Sequence, residues 1–225
     1  MFKQFAEIKK GDAFAVGCDT SMGAGDWCIA QFLRRPRTTI DLPDVPVVYA
    51  SKDSAPVMTD SLVPYLEKLY DLTGVKPVVA YERNNGGAFE MDRLAKLNRL
   101  HKYIIFVMPD PTRRSAGDGE EPEGTRLGWD TNSASRPAML ADLKELVDGR
   151  SIEVYDPDTV SEFFSFITVT TNTARRAEAE RNAHDDRVMS LAIAWQVHKL
   201  SSMPLSDARR GQLAMMQERA LAGTL

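Results

Sequence analysis

Residues 13–19 read Ala-Phe-Ala-Val-Gly-Cys-Asp, a short apolar run that ends on a carboxylate. A run of this length, bounded by turn-forming residues, reads as a buried strand over Phe14 to Asp19. The Gly-rich turn Ser21-Met22-Gly23-Ala24-Gly25-Asp26 follows, and Trp27 to Arg34 and Val47 to Ser51 read as two further strands. Short strands joined by tight turns form an antiparallel meander.

Helical spacing then takes over. Leu62, Val63, Leu66, Leu69 and Tyr70 share one face of a helix expected to start near Ser61, with Pro64 in its first turn and Gly74 as its stop. Lys76 to Glu82 reads as a central strand. Asn84-Asn85-Gly86-Gly87 leads into a helix carrying Phe89, Met91, Leu94 and Leu97, and Tyr103 to Met108 reads as another buried strand. The order β-β-β-α-β-α-β predicts an α/β fold, with a mixed central sheet (antiparallel meander, then parallel strands) flanked by helices on both faces. Thr112 to Gly124, rich in Gly, Glu and Pro, is expected to be a mobile surface loop. Ser135 is the expected N-cap of a helix with Met139, Leu140, Leu143, Leu146 and Val147 on its apolar stripe, Pro137 falling near N1 or N2. Ile152 to Tyr155 and Phe163 to Thr170 read as strand-like or mixed segments, and Thr171 to Ala183 as a polar excursion. A last core helix opens at His184-Asp185-Asp186 and runs through Val188, Leu191, Ala192 and Trp195. Residues 1–200 are expected to form one domain, with 201–225 a Met-rich amphipathic segment or tail.

With 225 residues, 43% of them hydrophobic and 27% charged, the chain suits one soluble domain with a continuous core. No apolar run approaches the roughly 20 residues that span a bilayer, and Met1 to Lys10 lacks the apolar stretch of a signal peptide. Two cysteines, Cys18 and Cys28, read as core thiols of an intracellular protein, a disulfide or metal pair being the alternative. The net charge of −4 is the wrong sign for strong phosphate binding. It hides clusters at Arg34-Arg35 with Arg37, Arg113-Arg114, Arg175-Arg176 and Arg209-Arg210, which permit nucleic-acid binding and are equally explained as solvated surface.

Acidic residues occupy three special places: Asp19 ends the first strand, Glu82 ends the fourth, and Asp185 with Asp186 opens the last helix. Each has a bland reading, as a turn former or a helix cap. Together, if the first and fourth strands are neighbours, they place three or four carboxylates in one cluster. Such a cluster repels itself unless cations occupy it, and hard divalent ions take oxygen ligands. Two ions about 3.5–4 Å apart clamp both the attacking and the leaving oxygen of a phosphodiester. Lys52, Arg83 and Lys102 are weaker candidates for phosphate contacts.

From Ala13 to Leu200 the arrangement resembles the RNase H-like nuclease domain of tailed-phage large terminases. The motifs that carry the resemblance are Gly17-Cys18-Asp19-Thr20, Glu82-Arg83-Asn84-Asn85-Gly86, Gly128-Trp129-Asp130-Thr131-Asn132 leading into Ser135-Arg136-Pro137-Ala138-Met139, and His184-Asp185-Asp186-Arg187-Val188-Met189-Ser190-Leu191-Ala192-Ile193-Ala194-Trp195. The first two are weak singly; the last two are more specific, and their order adds to them. The resemblance implies that Asp19, Glu82 and one or both of Asp185 and Asp186 hold two Mg²⁺ or Mn²⁺ ions and cut concatemeric double-stranded DNA during genome packaging in the host cytoplasm. Asp19, from the central strand, is then the expected bridging ligand. The resemblance also implies a terminase ATPase domain or subunit, a small terminase and a portal as partners, and places Arg136 and Pro137 in a structural segment. The chain lacks the Gly-x-x-x-x-Gly-Lys-Ser/Thr phosphate loop of the terminase ATPase, so ATP hydrolysis is expected to reside elsewhere. Two other readings stay open: a junction resolvase of the same fold, and a non-catalytic assembly module of a packaging motor.

Overall fold

Residue alternation along the strands sets the architecture. The computed structural model describes residues 1–21, 25–38, 40–108, 126–172 and 185–201. Its elements in chain order are β1 (Phe2–Gln4), β2 (Phe14–Asp19), β3 (Cys28–Arg34), β4 (Asp44–Ser51), α1 (Ala55–Thr73), β5 (Val78–Tyr81), α2 (Gly87–Leu97), β6 (Ile104–Ile105), α3 (Ser135–Asp148), β7 (Glu153–Val154), α4 (Pro157–Asn172) and α5 (Asp186–Leu200). The strands form one sheet in the order β1-β4-β3-β2-β5-β6, and β7 joins the edge of β4. β2, β3 and β4 are the antiparallel meander; β2, β5 and β6 run parallel.

Successive side chains of a strand face opposite sides, and the two sides form two cores. Phe14, Val16 and Cys18 of β2 join Val79 and Tyr81 of β5 under α1 and α2. Ala15 of β2 and Val78 and Ala80 of β5 pack under α3 and α5. Every residue from Arg187 to Ala194 is buried, so α5 is enclosed on all sides. It packs against β2, β3 and β5 beneath and against α3 and α4 beside it.

Gly17 makes that packing possible. It faces α5, and a Cβ there would lie 2.1 Å from the Ser190 carbonyl oxygen and 2.3 Å from the Ala194 nitrogen. The helix backbone therefore rests directly on the strand at Gly17, two residues before Asp19.

Several elements differ from their sequence reading. α1 starts at Ala55, six residues before Ser61, so Pro64 lies inside the helix and Pro56 takes the early position. Pro64 is tolerated because it is exposed, and its side of the helix faces solvent. Phe89 is not part of the apolar stripe of α2: it is 83% exposed, whereas Met91 and Leu94 are buried. Ser135 is the first helical residue of α3 rather than its cap. The Asn132 Oδ1 accepts the N–H groups of Ala134 and Ser135 at 2.9 and 3.0 Å, and Pro137 falls at the third helical position.

Phe163 to Thr170 belongs to helix α4, not to a strand. The Asp156 carboxylate accepts the Thr159 N–H at 3.2 Å, and Pro157 follows it at the first helical position. That start signal outweighs the β-branched composition downstream. The strand expected over Tyr103 to Met108 is regular only at Ile104–Ile105, with Val107 bridging Leu127. β1 was not expected; it covers Val47 to Tyr49 of β4, where its Phe2 ring stacks on Tyr65. No helix of the described residues is long and apolar enough to cross a membrane. The loop Thr112 to Gly124, most of the excursion after Asn172, and all but Ser201 of the terminal segment lie outside the described residues.

Candidate active site

Parallel pairing of β2 with β5 brings their carboxyl ends together. Cys18 is in register with Tyr81, and the Glu82 N–H donates to the Cys18 carbonyl at 2.7 Å. Asp19 continues the set of β2 that includes Ala15 and Gly17, and Glu82 continues the set of β5 that includes Val78 and Ala80. Both carboxylates therefore emerge on the α5 side, and both residues are only 6% exposed. Because α5 lies over Gly17, its first turn arrives beside them and delivers Asp185 and Asp186. The four acids line one cleft of about 630 Å³ with Ser21, Asp26, Asn84, Asn85 and Arg136.

The local backbone is built for this. Glu82 is followed by a turn in which Asn85 and Gly86 both adopt positive φ, which starts α2 immediately after the strand. Gly87 lies so close to the Glu82 carbonyl that a Cβ would sit 1.7 Å from its oxygen. The Asn84 side-chain amide then donates to Glu82 Oε1 and to the Thr131 carbonyl, each at 3.2 Å. The Trp129 N–H donates to the Tyr81 carbonyl and the Arg83 N–H to the Trp129 carbonyl, both at 2.8 Å. The Gly128-Trp129-Asp130 motif thus runs alongside Glu82 before it turns into α3.

Electrostatics mark the cluster as crowded with negative charge. Burial holds the Asp19 carboxyl well above its usual range, and the Glu82 charge, a hydrogen bond with Glu82, and Asp186 and Asp185 push it in the same direction. Arg136 offsets part of this: its Nη2 is 2.5 Å from Asp185 Oδ2. The donor set is all oxygen, which suits Mg²⁺ or Mn²⁺ rather than a softer ion. Among the described residues no group of three acids already converges as a metal-binding cluster. The reason is visible in the contacts: Asp19 and Glu82 are drawn into a mutual hydrogen bond, and Asp185 turns toward Arg136. Three of the four acids are thus held by partners that a cation would displace.

Asp19, Glu82, Asp185 and Asp186 therefore all line the one cleft, while other predicted groups do not. His184 lies outside the described residues. Arg83 donates to the Leu127 carbonyl at 2.7 Å, Lys102 pairs with Asp71, and Lys52 lies 5.1 Å over the Trp27 ring; none of the three lines the cleft. Nor is the Arg34 cluster a free cationic patch: Arg34 pairs with Asp12 and Asp44, and Arg37 with Asp12. Arg113, Arg114, Arg175, Arg176, Arg209 and Arg210 lie outside the described residues. The cysteines are both free and buried, in keeping with core thiols. Sequence reading missed Arg136 and Asp26 as cleft residues; the place of Arg136 at the second position of α3 was legible, its direction was not.

A three-strand antiparallel meander continued by parallel strands, with helices on both faces and acids at the ends of the two central strands, is an RNase H-like fold. Terminase nuclease domains are among the solved structures that it resembles. The nuclease domain of the human cytomegalovirus terminase matches with a TM-score of 0.53 at 12% identity, over 83% of each chain. A manganese-soaked crystal of that domain matches with a TM-score of 0.52, also at 12% identity and 83% of each chain. The nuclease domain of the P22 large terminase matches at 16% identity over 89% of each chain, with a TM-score of 0.49. No protein-family model matches the sequence, and no curated protein matches it significantly.

Proposed function

We propose that the chain is a divalent-metal-dependent endodeoxyribonuclease that cuts concatemeric viral DNA during genome packaging. One observation carries the reading: Asp19, Glu82, Asp185 and Asp186 line a single cleft at the carboxyl ends of β2 and β5. The likeness to terminase nuclease domains supports the same reading through the fold.

Asp19 sits between Glu82 on the neighbouring strand and the first turn of α5, so its carboxylate is placed to serve both halves of the site. Glu82 holds one half, and Asp185 or Asp186 the other. Asp185 is the N-cap of α5 and pairs with Arg136, whereas Asp186 is the first helical residue, so the two have unequal roles. Bound Mg²⁺ or Mn²⁺ supplies a nucleophile at neutral pH and neutralises charge on the attacking and leaving oxygens. Asn84 holds Glu82 by its side-chain amide. Arg136, once Asp185 turns to a cation, is a donor placed to meet a phosphate oxygen. Its partners in this reading are double-stranded DNA and a packaging motor that supplies ATP hydrolysis.

The Arg136–Asp185 ion pair favours a second reading, an assembly module whose acids only bridge and cap. Plasmid nicking separates the two. The nuclease reading requires cleavage with Mn²⁺ or Mg²⁺, none in EDTA, and loss on Asp19→Asn. Cleavage that persists in EDTA, or that Asp19→Asn leaves unchanged, overturns it.

A further inference from the structure

Helix α5 does not cap itself. Asp185 occupies its N-cap position but makes no side-chain capping hydrogen bond; its Oδ2 is engaged by Arg136. A cap side chain ordinarily accepts the N–H groups of the second and third helical residues, which here are Arg187 and Val188. One oxygen from the neighbouring helix takes both. Glu162 Oε2, on α4, accepts the Arg187 N–H at 2.9 Å and, more weakly, the Val188 N–H at 3.4 Å.

The Arg187 side chain, 6% exposed, completes the joint. Its Nε lies 3.4 Å from the other Glu162 oxygen, its Nη1 donates to Asp156 Oδ2 at 2.7 Å, and its Nη2 to Asp158 Oδ2 at 3.2 Å. Asp156 caps α4 through Thr159. The N-termini of α4 and α5 are therefore tied to each other through charge-assisted bonds, immediately beside Asp186. A carboxylate cannot both fold back on its own helix and project into the cleft. With Glu162 on the Arg187 and Val188 amides, Asp185 is released from the first task.

We propose that Glu162 and Arg187 are positioning residues of the acidic site. Glu162 caps α5 from outside, so that Asp185 faces the cleft, and Arg187 holds the first turn of α5 at its angle to β2. The inference rests on the nuclease reading for its consequence and on the capping geometry for its structure, and the two are separable by experiment.

Amide hydrogen exchange reads the cap without reference to activity. In Asp185→Ala the Arg187 and Val188 amides keep their protection, because Glu162 still accepts them. In the Glu162→Ala/Asp185→Ala double variant they exchange about tenfold faster, the scale of a lost cap. In Glu162→Ala alone, Asp185 swings back onto its own helix and restores part of the protection. The Mn²⁺ concentration needed for half of the melting shift then rises, and nicking falls about 10–100-fold, the usual cost of losing a group that orients a metal ligand. Glu162→Gln keeps an acceptor oxygen and recovers most of the nicking and the Mn²⁺ requirement. Leu69→Ala, in the core on the opposite face of the sheet, lowers the melting temperature and leaves the Mn²⁺ requirement alone. Loss of amide protection in Asp185→Ala alone overturns the capping. Wild-type Mn²⁺ requirement and nicking in Glu162→Ala overturn the positioning role. A wild-type chain that fails to nick refutes the nuclease reading instead, while exchange still decides the capping.

Discussion

Gly17→Ala is the substitution that tests most directly how the site is assembled. The added Cβ would stand 2.1 Å from the Ser190 carbonyl oxygen, whereas ordinary contact begins at 3.4 Å, so α5 must retreat by about 1.3 Å or tilt by an equivalent amount. Neither obstacle is a flexible side chain, since the Ala194 nitrogen, 2.3 Å away, is backbone of the same turn of α5. Overpacking of a tight core costs about 1–3 kcal/mol, and a backbone clash on a fully buried helix belongs at the upper end. For a chain of 150–250 residues each kcal/mol moves the melting temperature by about 2–4 °C, so a loss of about 6–12 °C is expected. The effect on activity is larger than the effect on stability. Ser190 is four residues from Asp186, and a displacement there carries Asp185 and Asp186 away from Asp19 and Glu82; a misplacement of about 1 Å can cost about 100-fold in rate. Thermal melting by circular dichroism and Mn²⁺-dependent plasmid nicking at 25 °C measure the two terms separately. A Gly17→Ala protein that melts within about 1 °C of wild type refutes the close approach of α5 to β2. One that melts lower but nicks at the wild-type rate refutes the idea that this approach positions the acids.

Asp19→Asn should lower nicking by at least the 10²–10³-fold typical of removing one preorganised electrostatic group, and should leave the metal-free melting temperature unchanged or higher, because like charges in the cluster are reduced. The Mn²⁺-induced rise in melting temperature seen in wild type should vanish with it. His198 gives a pH test: burial, with a contribution from Arg35, lowers its pKa from 6.5 to about 4. The unfolded chain then binds the extra proton first, so stability is full above about pH 6.5 and falls as the pH drops toward 4. His198→Phe, which keeps a ring against Trp195, should flatten that fall; equal slopes would count against the burial. Cys18 and Cys28 are free and buried, so a thiol reagent should label neither in the native protein and both after denaturation, and native labelling of Cys18 would contradict the packing of β2.

The β-β-β-α-β-α-β order was legible because each piece depends on local patterning: apolar runs between turn residues, and helical spacing in α1, α3 and α5. Reading failed where a local signal was outranked. The β-branched run of α4 suggested a strand, but the Asp156 cap and Pro157 start a helix that carries through it. The sequence reading starts α1 near Ser61, with Pro64 in its first turn, whereas Pro56 already supplies that signal in a helix that begins at Ala55.

For the site, the sequence by itself determined which acids were available and that Asp19 and Glu82 would end strands, since strand ends are set by neighbouring turns. Only the tertiary structure decided that they share a face and a cleft. That follows from the parallel register of Cys18 with Tyr81 and from the contact of Gly17 with α5. Partner choice was likewise out of reach. Arg136 turning to Asp185, and Glu162 capping α5 from another helix, are contacts 49 and 25 residues apart along the chain. Periodicity constrains only the few residues around each position; which distant carboxylate meets which donor is settled when α3, α4 and α5 pack against the same sheet.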